Sequence, residues 1–302
     1  MTEPAEHLVE RPLISVVIGS YNRRKFLERA IDSVRADGAG VGYELIVVDG
    51  GSTDGSLGWL LAQKDVVTIV QHNRGEFRGT PIRRRSWGYF MNLGFKCAQG
   101  RYVLMISDDC LLVPGAVARG LARFEGSSDD GRPIGAVAYY FRNWPHEQDY
   151  YVQRTIGGKL MVNHGLYRRD VLEQVGWVDE DRYLFYKADS DLSLKIWEAG
   201  YAIVDCPGAF VEHFEGANPA VRASNRAVLG RDREAHQQRW KGIYWDPDGP
   251  DLRERVTLAY DDPHRTAHRF PMDRRLLVEL LRARGRRIAK QLRARLAGPV
   301  HA

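Results

Sequence analysis

The stretch Tyr102-Val103-Leu104-Met105-Ile106-Ser107-Asp108-Asp109 runs five apolar residues and a serine into two adjacent carboxylates. An apolar run of that length, bounded by Gly100 before it and charge after it, reads as a buried strand. A hydrophobic strand has no structural need of acids at its tip, and two like charges side by side are costly unless a cation or a ligand compensates them. Carboxylates combined with phosphate oxygens make the all-oxygen site that suits magnesium or manganese. The competing reading is a solvated turn, or a helix N-cap ahead of Pro114.

Working outward, the sequence from Leu13 to about Tyr201 alternates short β-branched or aliphatic runs with stretches of helical period. That alternation predicts an α/β protein with crossover units and a mostly parallel, buried central sheet flanked by helices. Strands are expected at Leu13–Ile18, Glu44–Val48, Val66–Val70, Tyr102–Ile106 and Ile134–Phe141. Between them lie three apolar helical faces: Phe26, Ala30, Ile31 and Val34; Leu57, Leu60 and Leu61; and Phe90, Leu93, Gly94 and Cys97. Polar clusters follow three strands, Gly19-Ser20-Tyr21-Asn22, Asp49 to Gly55, and Ser107-Asp108-Asp109. In an open α/β sheet ligands bind outside the carboxyl ends of the strands, so these clusters are expected to converge on one site. Further on, a strand is expected around Lys159–Val162, a short helix from Arg169 and a helix over Ser190–Ala199, stopped by Gly200. Residues 239–270 show no period and read as an ordered loop or lid.

At 302 residues with 44% hydrophobic and 27% charged residues, the chain sits at the globular average, which excludes collagen-like, disordered and disulfide-scaffold classes. No apolar run approaches the ~18 residues of a membrane span, and the acidic first ten residues do not read as a signal peptide. The expectation is a cytoplasmic protein. Cys97, Cys110 and Cys206 are widely spaced and odd in number, which points to reduced thiols rather than a structural zinc site. Of 44 Lys and Arg against 39 Asp and Glu, residues 274–296 hold nine of the basic residues and one acid, Glu279, leaving 35 against 38 elsewhere. The net charge of +5 therefore belongs to one C-terminal segment, and no basic surface for a nucleic-acid partner is expected on the rest. Within that segment Leu277, Leu281, Ile288, Leu292 and Leu296 form one helical stripe with arginines over the remainder. Such a helix either lies on anionic lipid, or packs on its own domain or a second subunit.

Other groups are ambiguous taken singly. Asp49 ends a strand before a glycine-rich turn, where an acid accepts from a ribose hydroxyl or base N–H; the competing reading is a plain strand-to-helix turn with Asp54 as N-cap. Arg83-Arg84-Arg85 precede a helix beginning near Ser86; cations there oppose the helix dipole, which points to a nearby anion or to plain solvation. Asp189 and Asp191 flank a helix start, either as N-cap and first-turn acid or with one facing the cleft as a general base. His213 stands alone and reads as structural or as a ligand. Of the aromatics Trp144, Tyr150, Tyr151, Trp177, Tyr183 and Tyr186, two are expected to offer ring faces to a ligand and the rest to be core.

Taken in order, Ile14 to Asn22, Glu44 to Gly55, Gly100 to Asp109, and Ala188-Asp189-Ser190-Asp191-Leu192 with Glu198-Ala199-Gly200-Tyr201 resemble the family-2 glycosyltransferases of GT-A fold, over about Leu13 to Phe214. Each block is weak alone, and four in this order and spacing are specific. The resemblance implies a Rossmann-like nucleotide half at about 13–110, an acceptor half at about 111–238, a C-terminal extension at 239–302 with lid and basic helix, and a flexible tail at 1–12. It implies that Ser20, Tyr21 and Asp49 contact the nucleotide, with Asp49 toward the base, and Arg84 is grouped with them. Asp108 and Asp109 match the DXD motif, with Ser107 in the place of its leading acid; Asp108 then contacts ribose or metal and Asp109 holds Mn2+ or Mg2+. His213 matches a position that completes the metal or phosphate site in some relatives, and Asp189 the catalytic base, with Ala188 where the family has Glu.

The implied reaction is a single, inverting displacement from a nucleotide-diphosphate sugar to a hydroxyl of a saccharide or lipid-linked saccharide, in cell-surface glycan or polysaccharide synthesis. A site at the inner face of the plasma membrane would suit such an acceptor. Two other readings compete. A sugar nucleotidyltransferase would need a glycine-rich loop with Arg and Lys after the first strand, which Gly19-Ser20-Tyr21-Asn22-Arg23 does not supply. A binding module acting through the basic tail leaves Asp108, Asp109 and Asp189 idle.

Overall fold

The computed structural model describes residues 11–38 and 40–296. The tail expected at 1–12 lies mostly outside that range. The first half runs β1 (Ile14–Ser20), α1 (Arg24–Asp37), β2 (Tyr43–Asp49), α2 (Ser56–Leu61), β3 (Val66–Val70), a hairpin of β4 (Glu76–Phe77) and β5 (Thr80–Pro81), α3 (Trp87–Cys97) and β6 (Tyr102–Ser107). The second half continues with β7 (Cys110–Leu112), α4 (Ala116–Arg123), β8 (Ile134–Asn143), β9 (Tyr150–Arg154), β10 (Leu160–Met161), β11 (Gly165–Arg168), α5 (Arg169–Gln174), α6 (Ala188–Glu198) and β12 (Ala202–His213). Then come α7 (Pro219–Arg226), α8 (Leu229–Arg239), β13 (Arg255–Leu258) and α9 (Arg274–Leu296).

All strands except the β4–β5 hairpin join one mixed sheet, ordered β10-β9-β8-β11-β6-β1-β2-β3, with β12 beside β8 and β7, and β13 beside β9. The parallel character holds where helices cross between strands: β3, β2, β1 and β6 are mutually parallel. Beyond β6 the sheet departs from the expected pattern. There β11, β9 and β10 pair antiparallel because short turns replace crossover helices, and β12 alone runs parallel to β8. Two apolar layers sandwich the sheet. One packs α1 through Leu27, Ala30, Ile31 and Val34. The other packs α3 and α6 through Phe90, Met91, Phe95, Leu192 and Ile196.

Helix α3 lies close because Gly94 faces β1 and β2; a Cβ there would stand 2.5 Å from Val17 Cγ1. Its buried face is therefore Phe90, Met91, Gly94 and Phe95, whereas Cys97, expected on that face, is exposed. Helix α2 is six residues long, too short to bury a full stripe, and Leu61 is exposed. Residues 239–270 are not a free lid: β13 adds to the edge of the sheet at β9, and Trp240 is fully buried with Ile156 and Leu194. Among the described residues no helix is long and apolar enough to cross a membrane. All three cysteines are free thiols.

Candidate active site

Parallel register brings the polar clusters together. Ser20 stands opposite Asp49, and Gly19 opposite Ser107, so β1, β2 and β6 end at one level. Outside that edge lies a cavity of about 490 Å³ whose walls include Ser20, Tyr21, Asp108, Asp109, Asp189, His213 and Arg84. Asp49 is the exception among the expected residues. It is fully buried, and its Oδ1 accepts from the backbone N–H of Gly51 (2.9 Å) and Ser52 (2.7 Å), so it orders the turn while Gly50 faces the cavity. Gly51 takes φ +87°, the left-handed region that glycine enters without penalty.

At the end of β1, Asn22 adopts a left-handed φ of 52°, tolerated by Asn, and turns Arg23 back over the strand ends. Arg23 Nη1 donates to Asp108 Oδ1 at 2.6 Å and to Asp109 Oδ2 at 2.8 Å. Ser20 Oγ donates to Asp108 Oδ2 at 3.0 Å. The two neighbouring acids are held unlike. Burial, only partly offset by Arg23, pushes Asp108 up to about 6. Burial acts on Asp109 too, but Arg23, joined by His213 when that ring is protonated, outweighs it and holds the carboxyl below the usual range.

His213 ends β12 opposite Cys110 and Asn143 in register. Asn143 donates through Nδ2 to Glu147 and to the Tyr151 hydroxyl, both at 2.9 Å, which turns its Oδ1 to His213 Nδ1 at 2.7 Å. Nδ1 therefore carries the proton, and in the neutral ring Nε2 is a bare lone pair. It faces Asp109 Oδ1 at 3.5 Å, a buried oxygen with no hydrogen-bond partner. With the ring neutral, two acceptors meet there and a cation fits between them, and a carboxylate with an imidazole is a fitting donor pair for Mn2+. Cys110 belongs to the same cluster, but burial raises its thiol pKa and its sulfur lies against the neutral His164, 3.6 Å away.

The facing wall comes from the start of α6. Lys187 precedes it at φ 71°, a left-handed conformation that costs a residue with a Cβ about 1 kcal/mol or more and is typical of functional sites. Asp189 follows, partly exposed into the cavity, accepting from Asn163 Nδ2 at 3.1 Å and from Ser190 N at 2.8 Å, with burial raising its pKa. Asp191 does not reach the cavity: it is fully buried and accepts from Tyr183 and from Trp240 Nε1, each at 2.9 Å. Of the six aromatics, two line the cavity, Tyr151 and Tyr186. The triple arginine divides likewise. Arg83 is exposed, while Arg84 turns inward beside Arg74, and both donate to Asn225 Oδ1, at 2.8 and 2.7 Å. Burial lowers the pKa of both arginines, and Arg84 lowers that of Arg74 further, to about 10. Two crowded cations in one wall are arranged for an anion.

Sequence reading missed Arg23, Arg74, Asn143 and Asn225. Arg23 alone left a local signal, a cation at a helix start with no acid in the first turn of α1. The others become visible only through contacts far along the chain.

The chain is similar to known proteins in the same sense. Over 116 residues it is 34% identical to an uncharacterised glycosyltransferase of Nostoc sp., covering 38% of this chain and 33% of that one. Over 121 residues it is 33% identical to a PGL/p-HBAD biosynthesis glycosyltransferase of Mycobacterium bovis, covering 39% and 43%. The matched stretch thus spans less than half of these relatives. Among solved structures, the mannosyltransferase of Pyrobaculum calidifontis in complex with GDP-Man and Mn2+ superposes with a TM-score of 0.55 at 19% identity, over 81% of this chain and 69% of that one. That likeness shows the GT-A fold. The sequence pattern described as Glycosyl transferase family 2 matches residues 15–176, more than half of the chain, from β1 through the acid pair to α5. Strand-end acids, GT-A topology and this match agree, and the chain belongs to glycosyl transferase family 2.

Proposed function

We propose that this protein is an inverting transferase that moves a sugar from a nucleotide-diphosphate sugar to an acceptor hydroxyl on a saccharide or lipid-linked saccharide of the cell surface. One observation carries the reading: a single cavity holds the unpartnered Asp109 Oδ1 facing His213 Nε2 on one wall and the carboxylate of Asp189 on another. Tyr21, Ser20 and Asp108 receive the nucleoside, and Arg74 and Arg84 face its diphosphate. Asp109 and His213 would hold a divalent ion, as the Mn2+ bound by the Pyrobaculum mannosyltransferase suggests. Bound there, the ion supplies positive charge to the leaving diphosphate.

Asp189 performs the proton chemistry. An acceptor hydroxyl is a poor nucleophile at neutral pH, and a carboxylate within hydrogen-bond reach takes its proton as the oxygen attacks the anomeric carbon. The new C–O bond forms as the bond to the diphosphate breaks, the electron pair leaves with the diphosphate, and the anomeric centre inverts. Asn163 fixes the Asp189 carboxylate, and Tyr151 and Tyr186 offer faces for sugar rings. The exposed apolar and arginine-rich side of α9 fits an anionic lipid surface, which would bring a lipid-linked acceptor to the cavity.

Calorimetric titration of UDP, GDP and dTDP, each with Mn2+ and again with EDTA, tests the reading. Metal-dependent binding of one of them is expected, followed by transfer from the corresponding nucleotide sugar. Absence of binding by all three under both conditions overturns the donor assignment.

A further inference from the structure

A divalent ion is not the only cation this acid pair can hold, because Arg23 already sits on it. Its Nη1 bridges Asp108 Oδ1 and Asp109 Oδ2 at 2.6 and 2.8 Å, the place a shared cation takes between two carboxylates. The side chain is only 14% exposed and leaves the residue immediately before α1. A cation at a helix N-terminus opposes the macrodipole, so the placement is unfavourable on local grounds and is explained by the acids it faces. The guanidinium stays protonated at any working pH and cannot make room by losing charge. Asp109 is thus split between two cation positions: Oδ2 is taken by Arg23, while Oδ1, unpartnered, faces His213.

Charge counting gives the consequence. The two carboxylates with Arg23 carry one net negative charge, and a divalent ion beside Asp109 Oδ1 turns that into one net positive charge in a buried site. The guanidinium and the ion then repel each other across a single carboxylate, at the short range where low dielectric makes charge interactions strong. A diphosphate restores the balance. We propose that Arg23 is a tethered counter-ion that competes with the divalent metal for Asp109, so that tight metal binding requires the donor diphosphate. It is a positioning residue for the metal and the acids, and the inference rests on the donor reading above.

The test is electron paramagnetic resonance titration of Mn2+ alone and with a saturating nucleoside diphosphate, on the wild-type chain, Arg23→Gln and Arg23→Lys. For the wild type, Mn2+ affinity is expected to rise at least tenfold when the nucleotide is present, with the reciprocal effect of Mn2+ on nucleotide affinity that linkage demands. Arg23→Gln is expected to bind Mn2+ alone at least tenfold more tightly than the wild type, and to lose most of the coupling. Arg23→Lys, which keeps the charge, is expected to stay near the wild type. Equal Mn2+ affinity in the wild type with and without nucleotide overturns the inference even if neither variant folds, and so does unchanged Mn2+ affinity in Arg23→Gln. Failure of the wild type to bind any of UDP, GDP or dTDP overturns the donor reading itself, and this inference with it.

Discussion

As the proposed base, Asp189 would separate the requirements of catalysis from those of stability. Burial raises its pKa from the ordinary aspartate value, so the ionised form needed to take a proton is the form the fold disfavours. For a carboxyl raised in the folded state, stability is lost as pH rises from its unfolded value through its folded one, and the loss persists at neutral pH. Replacing it by a neutral isostere removes that cost. Asp189→Asn keeps an oxygen for Ser190 N, and Asn163, whose Oδ1 is buried without a partner, can turn its amide to accept from the new one. We therefore expect Asp189→Asn to lower kcat by roughly 100-fold to 10,000-fold, to leave nucleotide affinity within about twofold, and to raise the melting temperature. Steady-state kinetics, calorimetry and a thermal melt check the three parts, and an active Asn variant removes Asp189 from the mechanism. In the wild type, kcat should fall on acidification through a pKa higher than that of an exposed aspartate, because only the ionised base accepts. The choice between Asp189 and Asp191 was invisible in the sequence, since both lie in the first turn of α6; Tyr183 and Trp240, from outside that helix, take up Asp191.

Helix α9 has two faces, one packed and one exposed. Leu276, Leu280 and Ala283 lie against Phe26, Phe214, Ala267 and Phe270, or are buried nearby, so the helix does pack on its own domain. The stripe read from sequence sits one position further round: Leu277, Leu281 and Ile288 are 51%, 61% and 48% exposed, with Arg284 among them. The side chains of Leu292 and Leu296 lie outside the described residues. Leu276→Ala should cost about 2–5 kcal/mol as a fully buried leucine. Leu281→Asp should leave the melting temperature nearly unchanged and weaken cosedimentation with vesicles rich in anionic lipid; equal cosedimentation of wild type and Leu281→Asp ends the lipid role of this face. Other elements show where periodicity stops informing. The β1, β2, β3 and β6 strands were legible because both of their faces, or nearly so, are apolar and each is delimited by polar turns. Strand β12 was not, because Pro207 and Gly208 interrupt its apolar run; they fall within an irregularity between Cys206 and Phe210 of a single long strand. Helices α7 and α8 bury little apart from Asn225, Asp232 and His236, so they carry no apolar stripe to read.

For the molecule as a whole, the cavity is assembled from segments far apart in the chain, and the family pattern ending at residue 176 contains only part of it. Asp189, His213 and Asn225 lie beyond that limit, and so does Asp232, which ties the C-terminal part to the site. Asp232 is fully buried on α8, and its two oxygens accept from the backbone N–H groups of Leu184 (3.0 Å), Phe185 (2.8 Å) and Tyr186 (2.8 Å). Those residues form the loop that leads into Lys187 and Asp189, and Tyr186 lines the cavity. Trp240 makes the parallel link one turn later, through Asp191. The strand-end acids were thus readable in the sequence, and the arm that holds the Asp189 wall, the proposed acceptor side, was not, because a lone aspartate in a polar helix has no pattern that foretells three backbone partners. Asp232→Ala removes both acceptor oxygens and leaves the three backbone donors unpaired at once. Each donor left unsatisfied costs about 1–3 kcal/mol when buried, and in a chain of this size each kcal/mol lowers the melting temperature by about 2–4 °C or less. Asp232→Asn keeps one oxygen and should fall between the two. Because the nucleotide side rests on β1, β2 and β6, nucleotide affinity should be retained in Asp232→Asn while the acceptor KM rises several-fold. An Asp232→Ala chain with unchanged melting temperature and unchanged acceptor KM would show that the segment after β12 is not what holds the acceptor wall in place.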